Sequence, residues 1–183
     1  MPINFNLCKY SNECYVETGY FKGESLKSAL NCDFKFFHSI EINEEYYTNG
    51  INEFKNKGLD ENIFIHLGNS SNILDFVIKS IKHRTTFFLD AHDLTYSGIK
   101  TENFEFADGC PILEEIRLIS KHDIKNHTII IDDIRMFNNS YGWAKDSNIN
   151  SGLLENELLK INPDYKIVYE NGYIDNDVLV AFI

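Results

Sequence analysis

Several things are scarce in this chain of 183 residues. Basic side chains come first: 17 Lys and Arg stand against 28 Asp and Glu, a net charge of −11 with neutral histidines. Such a field repels nucleic acid phosphates, so no nucleic-acid partner is expected. It suits a cation or a cationic cofactor instead. Long apolar runs are also missing. None approaches the ~18 residues of a bilayer span, so no membrane partner is expected. The opening residues, MPINFNLCKYSNE, lack the basic-then-apolar layout of a secretory leader. Cys8, Cys14, Cys32 and Cys110 form no CxxC pair and no zinc spacing. A chain of this length builds a core without disulfides, so reduced thiols and a cytoplasmic location are expected. No repeat, low-complexity tract or linker breaks the chain, and 1–183 reads as a single domain. At 43% hydrophobic and 25% charged residues, the composition excludes a disordered or fibrous chain.

What is present is an alternation. Apolar, strand-like runs fall at 14–18, 34–42, 63–68, 85–92 and 127–134, with two more at 165–170 and 177–183. Between them, apolar residues recur at helical spacing over 23–31, 44–57, 71–81, 110–121 and 151–161. Tyr46, Tyr47 and Phe54 of the second helical stretch read as core. Strands alternating with helices predict an α/β fold: a Rossmann-like, doubly wound, seven-stranded sheet, mostly parallel. The last two strands are joined by only NGYIDN, too short for a parallel crossover, so the final strand is expected to be antiparallel. Two segments break the rhythm, 93–109 and 135–150. Both are polar and aromatic, and both follow strand carboxyl ends, the edge where open α/β sheets bind ligands.

Acids mark that same edge. Glu17 ends the first strand, Glu41 the second, Asp90 the fourth, and Asp132 with Asp133 the fifth. A carboxylate inside an apolar sheet is costly unless it is paired or used. After the first strand, Gly19 and Gly23 flank Tyr20-Phe21-Lys22, and the middle glycine of a G-x-G-x-x-G dinucleotide loop is absent. The loop is either a turn exploiting glycine's backbone freedom or a cofactor loop that makes a close approach without gripping phosphates. Glu17 beside it would repel a pyrophosphate and attract an amine or a sulfonium. Glu41 is placed to accept from two ribose hydroxyls, or else it is an exposed acid at the start of the next helix. Asp132 and Asp133 are functional acids or ordinary strand-to-turn residues bonding the backbone. Adjacent strand residues point to opposite faces, so both reach one ion only if the strand has already turned.

With these residues in view, the sequence resembles the class I S-adenosylmethionine-dependent methyltransferases. YVETGYFKGES matches their first loop in the loose form E-x-G-x-x-x-G-x-S, SIEI matches the acidic end of their second strand, and an antiparallel last strand is their usual ending. The resemblance implies that Glu17, Gly19 and Gly23 line the methionine part of the cofactor, Glu41 the ribose, and Gly68, Asn69 and Ser70 the adenine. Thr18, Ser25, Ile42 and Asp90 complete the implied cofactor-binding set. LDAH followed by IIIDD is similar to the metal-dependent, macrocin-type enzymes that methylate sugar hydroxyls. That comparison implies a divalent ion gathered by Asp90, Asp132 and Asp133; carboxylates without thiols favour a hard ion, Mg²⁺. The implied substrate is a hydroxyl of a sugar, glycan or similar small molecule.

His92 lies two residues beyond Asp90 and so on the same face of an extended chain. With Asp90 it forms the candidate catalytic pair, as the general base; it also reads as a structural histidine or a third metal ligand. Arg135 either orients the neighbouring acids, reaches a substrate phosphate, or makes a plain salt bridge. Tyr141 and Trp143, like Phe104 and Phe106, are sugar-stacking platforms or aromatics tucked into the core. His38, His66, His83, His122 and His127 show no paired spacing and receive no role. A hydrophobic helix face leaves room for a homodimer. Two other functions remain open on such a sheet: a non-catalytic binding module, and an NAD or nucleotide-sugar enzyme.

Overall fold

A computed structural model describes residues 4–59, 61–92, 110–138 and 149–183. Seven strands form one sheet: β1 (Cys14–Thr18), β2 (Phe36–Glu41), β3 (Ile63–Leu67), β4 (Thr85–Leu89), β5 (Thr128–Ile131), β6 (Lys166–Glu170) and β7 (Val178–Phe182). Their spatial order is β3-β2-β1-β4-β5-β7-β6. The first five are parallel, and β7 runs antiparallel to both β5 and β6. The short β6–β7 connection enforces that reversal. The order turns around between β1 and β4, so the loops leaving these two neighbours diverge and open a crevice at their carboxyl ends.

Helices cover both faces, which is why β1, β4 and β5 are buried along their whole length. One layer holds α3 (Ser70–Ser80), α4 (Ile112–Ser120) and α5 (Ser151–Ile161); Leu74, Val77, Ile116, Ile119, Leu154 and Leu158 share a core with Val16, Phe87, Leu89 and Ile129. The other layer holds α1 (Glu24–Ala29) and α2 (Glu44–Asn56), whose Leu26 and Phe54 pack with Tyr15, Phe37 and Ile65. Phe54 is core as expected, whereas Tyr46 and Tyr47 are only half-buried against it. Asn side chains start three helices. Asn43 accepts from the Glu45 and Tyr46 amides, Asn69 from Ser71, and Asn150 from Leu153.

The sequence pattern does not announce what covers the second face beyond α1 and α2. A single 3₁₀ turn, Leu7–Tyr10, does so, and Leu7 and Tyr10 share a core with Phe88, Ile130 and Val180. Polar clips hold this segment to the sheet. The Thr86 hydroxyl donates to the Tyr10 carbonyl (2.6 Å), and the Asn12 amide donates to the Thr86 and Thr128 hydroxyls (2.8 and 3.0 Å). The turn also overturns the expectation of four reduced thiols. Cys8, on the turn, and Cys32, just past α1, form a disulfide with their Cα atoms 4.9 Å apart. Folding the turn against the end of α1 brings the two together across 24 residues of chain. Cys14 and Cys110 are buried and lie outside this disulfide.

Two strands end earlier than their apolar runs suggest. β4 stops at Leu89 rather than 92, and β5 at Ile131 rather than 134, where a short 3₁₀ turn (Ile134–Met136) takes over. Both early endings place acids off the sheet. Among the described residues, no helix is long and apolar enough to cross a membrane.

Candidate active site

The loop after β1 shows how a chain without the middle glycine makes the same bend. Phe21 occupies that position and adopts the left-handed conformation itself, at φ +50°. Its neighbour Tyr20 folds back into the core at 3% exposure, between Gly23 and Gly50. Gly19 has φ +86°, and a Cβ there would stand 2.7 Å from the Asp90 carbonyl oxygen. Glycine at 19 is therefore what lets the ends of β1 and β4 touch. The Asp90 amide closes the contact by donating to the Thr18 carbonyl (3.2 Å) and hydroxyl (3.3 Å).

Glu17 does not face the crevice. It is fully buried below the loop and accepts from three hydroxyls: Ser25 (2.6 Å), Ser39 (2.6 Å) and Tyr15 (3.1 Å). Burial pushes its pKa up to about 7, against the pull of these donors. Its place ties β1, β2 and α1 together, and Ser25 is thereby one of its anchors. Glu41 is buried rather than exposed, at 6%. One carboxylate oxygen accepts from the Phe21 amide and the other from Asn43, both at 2.7 Å. Each oxygen keeps a second lone pair for a ligand hydroxyl. Burial raises its pKa, and the backbone amides partly offset this. Ile42 follows, half-buried. The Gly68 amide donates to the Glu41 carbonyl (2.8 Å), which brings Gly68, Asn69 and the buried Ser70 alongside. Thr18, Gly19, Glu41 and Gly68 thus share one rim, with Glu17 beneath it.

The acids after β4 and β5 extend the rim. The Asp132 amide donates to the Leu89 carbonyl (3.2 Å), so the two strand ends lie side by side. Asp133 is left-handed, at φ 59° and ψ 38°, and its amide turns back onto the Asp132 carboxylate (2.8 Å). The strand has turned before the second acid, which removes the objection that neighbours must point apart. His92 Nε2 lies 3.8 Å from an Asp90 oxygen and 3.9 Å from an Asp133 oxygen. Asp90, His92 and Asp133 each bring one ligand atom within 4.8 Å of the others, and so do Asp132, Asp133 and Asp177. Asp133 belongs to both sets, and Asp132 enters through the second.

Asp177, just before β7, is the member sequence reasoning missed. It opens the run 177–183, which reads as a strand after the turn NGYIDN. It is fully buried and accepts from the Arg135 amide (2.9 Å) and the Tyr173 amide (3.2 Å). Arg135 bridges Asp133 (2.5 Å) and Asp177 and lies over the Tyr173 ring, 4.9 Å from its centre. The salt-bridge reading of Arg135 therefore describes its place. Burial, then repulsion from Asp132 and Asp133, raises the Asp90 pKa well above the usual carboxylate range. Burial and Asp133 push Asp132 up to about 7. Arg135 does not quench this crowding, and a set of carboxylate oxygens with one imidazole fits a hard divalent ion. The aromatics Phe104, Phe106, Tyr141 and Trp143 lie outside the described residues.

Four of the five histidines without paired spacing in the sequence are paired in space. His38 Nδ1 meets His66 Nε2 at 3.0 Å across β2 and β3, and His122 Nδ1 meets His127 Nε2 at 2.8 Å. Both pairs follow from packing.

No family model and no curated protein sequence matches the chain. Solved structures do. The O-methyltransferase TomG from Streptomyces achromogenes, in complex with SAM, is similar at 14% identity over 97% of this chain and 75% of its own, with a TM-score of 0.66. SAH-bound methyltransferase PaMTH1 from Podospora anserina matches at 14% identity, 96% and 74% coverage, and a TM-score of 0.61. Methyltransferase FkbM from Methylobacillus flagellatus matches at 19% identity over 93% of this chain and 43% of its own, with a TM-score of 0.58. The chain has the Rossmann-like methyltransferase fold.

Proposed function

We propose that the protein is an S-adenosylmethionine-dependent O-methyltransferase that acts on a hydroxyl of a sugar, glycan or similar small molecule, with help from a divalent ion, Mg²⁺. The observation that carries the reading is the rim at the β1–β4 switch point. There Gly19 is pressed against Asp90, Glu41 stands on one side, and Asp90, His92, Asp132 and Asp133 collect on the other. The fold shared with SAM-bound and SAH-bound methyltransferases supports it. Phe21 in place of the middle glycine puts a side chain where a dinucleotide pyrophosphate would need bare backbone, which disfavours the NAD alternative.

When bound, the cofactor supplies a methyl group on a positively charged sulfur, and the ion lowers the pKa of a hydroxyl it touches. The chain's own residues bind, align and move a proton. Glu41 accepts from ribose hydroxyls with its remaining lone pairs, and Ile42, Gly68, Asn69 and Ser70 flank the adenosyl group. Asp90, Asp132 and Asp133 hold the ion, with Asp177 and Arg135 fixing Asp133. His92, between Asp90 and Asp133, takes the hydroxyl proton on Nε2, and the two carboxylates favour the imidazolium that results. Alignment of acceptor and methyl group provides the rest of the rate.

Calorimetry with S-adenosylhomocysteine tests the reading. Binding in the micromolar range is expected, and no heat at millimolar ligand would sink it. Glu41→Ala should weaken that binding at least tenfold. Asp132→Asn should bind the cofactor product normally yet lose turnover and its response to Mg²⁺. A homodimer belongs to the proposal; gel filtration with light scattering reads it directly.

A further inference from the structure

β3 is the outermost strand on its side of the sheet and pairs only with β2. The direction of its other backbone groups follows from the bonds it makes there. The Phe37 amide donates to the Asn62 carbonyl (2.9 Å), and the Gly68 amide donates to the Glu41 carbonyl (2.8 Å). Asn62 and Gly68 therefore turn their backbone toward β2, and by the alternation of a strand so do Phe64 and His66. Ile63, Ile65 and Leu67 turn theirs outward, and among the described residues no strand receives them. Edge strands usually deter a newcomer with lysine, proline or a bulge. IFIHL carries no charged residue and no proline, and its register with β2 runs unbroken.

The face beside that edge is aromatic. Ile63 and Ile65 pack inward with Phe54 of α2, whereas Phe64 and His66 fall on the opposite face. His38 stacks on Phe64 at 5.1 Å and on His66 at 5.3 Å, and Phe76 of α3 meets the His66 ring edge-on at 6.5 Å. Phe36, Phe64 and Phe76 remain 39%, 42% and 67% exposed. The patch is also neutral. Burial holds His38 and His66 below the ordinary histidine range, and Asp75 and Lys79 of α3 pair with each other. On a chain of net charge −11, it is a surface where two copies meet without repulsion.

We infer that the β3 edge is the contact of the homodimer: two copies pair β3 with β3, antiparallel about a two-fold axis, into one continuous sheet. The inference deepens the homodimer reading above and does not depend on the methyl donor. With the axis at Ile65, Ile65 meets its own copy, Ile63 meets Leu67, and Phe64 meets His66. The outward backbone groups at 63, 65 and 67 then satisfy one another in about six hydrogen bonds. Phe64 and His66 oppose each other between those bonds, where antiparallel side chains come closest. Apolar residues thus face apolar ones, and a phenyl ring faces an imidazole. The phenylalanines of two copies bring roughly 600 Å² of surface to the seam. Backbone, His66 and Leu67 carry it toward the ~1,200 Å² lower bound of a specific interface, so a dimer of micromolar strength is expected.

Sedimentation velocity over a dilution series, with near-UV circular dichroism as the check on folding, tests the contact. The wild type should pass from dimer to monomer on dilution. Phe64→Glu should weaken the dimer about a hundredfold or more while keeping the near-UV spectrum. Leu159→Glu, on the exposed face of α5, should leave the dimer intact. In Phe64→Cys/His66→Cys, mild oxidation should join two chains, because the opposed Cα atoms lie about 4.5 Å apart. Either single variant should join far less, its two copies lying on a diagonal of about 7–8 Å. A wild type that stays monomeric throughout removes the homodimer reading and this inference with it. A dimer that Phe64→Glu leaves intact, paired cysteines that do not join, or single variants that join as fully as the pair would each overturn the inference alone. Should Phe64→Glu lose its fold, the cysteine variants decide.

Discussion

Acid should loosen this protein through its buried histidines, His127 foremost. His127, just before β5, is fully buried. Its Nδ1 accepts from the Thr85 amide (3.1 Å), and its Nε2 lies 2.8 Å from His122 Nδ1. His122 Nε2 in turn faces the Ile81 carbonyl (3.2 Å). Only one proton arrangement satisfies the row: Nε2–H on both rings, each passing its proton forward. A second proton on His127 would set two donors against each other at Thr85. Burial first, and then the charges of His122, Arg84 and Lys125, lower its pKa from 6.5 to about 3. The folded protein therefore refuses a proton that the unfolded chain accepts below pH 6.5. Stability from this group is complete above that value and is lost as pH falls toward 3, at about 1.4 kcal/mol per pH unit. The loss reaches about 3 kcal/mol by pH 4, a large share of an ordinary folding free energy.

Other groups work in the opposite direction. Glu17 and Glu115 have folded pKa values raised to about 7, so their cost is absent below about pH 4.5 and grows as pH rises toward 7. The wild-type curve alone mixes both signs. His127→Asn isolates the histidine, because an amide oxygen can still accept from Thr85 but cannot take up a proton. Urea midpoints of both proteins at pH 7.5, 6, 5 and 4 provide the comparison. The variant should be less stable at pH 7.5, and the gap should narrow by about 3 kcal/mol by pH 4. A gap that stays constant across the range would refute the reasoning.

Three further outcomes are expected. Reduction, or Cys8→Ser, should open the loop of 24 residues and cost about 3–4 kcal/mol, read as a shift in the urea midpoint that is absent when the same variant is compared with reduced wild type. Gly19→Ala should push the Asp90 backbone away at φ +86°, costing about 1–3 kcal/mol and weakening S-adenosylhomocysteine binding more than a buried-site control of equal stability. Gly50→Ala, although alanine is the better helix former, should lower the melting temperature, since its Cβ would meet the Ile65 side chain at 2.7 Å and the Tyr20 ring at 2.8 Å.

The alternation of apolar runs carried the fold because burial on both faces leaves a mark on every residue of a strand such as TIII or TTFFL. Strand ends were less legible. An apolar run continues past the last ladder bond, so Ile134 reads as strand though it belongs to the next turn. The 3₁₀ turn that completes the second covering layer was not legible, because Leu7 and Tyr10 make a core contact without any periodicity. The cysteine pair escaped for the same reason: proximity of 8 and 32 depends on where that turn lands. Histidine pairs were hidden because cross-strand and cross-loop neighbours have no fixed spacing.

For the rim, chain chemistry and geometry divide the work differently at each acid. Glu17 and Glu41 look equivalent in sequence, as acids closing apolar strands. Glu17 falls on the inward face of β1 beside Tyr15, where three hydroxyls take up its lone pairs, and it becomes an internal strut. Glu41 is the last residue of its strand, and its partners are loop amides, which leave an outward side. The difference is one of parity and position along the strand, and it decides which acid can meet a ligand. Asp132 and Asp133 differ in the same way. The turn at Asp133 brings it to Asp90 and His92, and Arg135 beside it is shared with buried Asp177. Burial first, and then repulsion among the neighbouring acids, makes both Asp90 and Asp132 hold their protons more tightly than a free carboxyl. A divalent ion would relieve that repulsion and release those protons. Mg²⁺ should therefore bind more tightly as pH rises through 7, in step with protons released to the buffer.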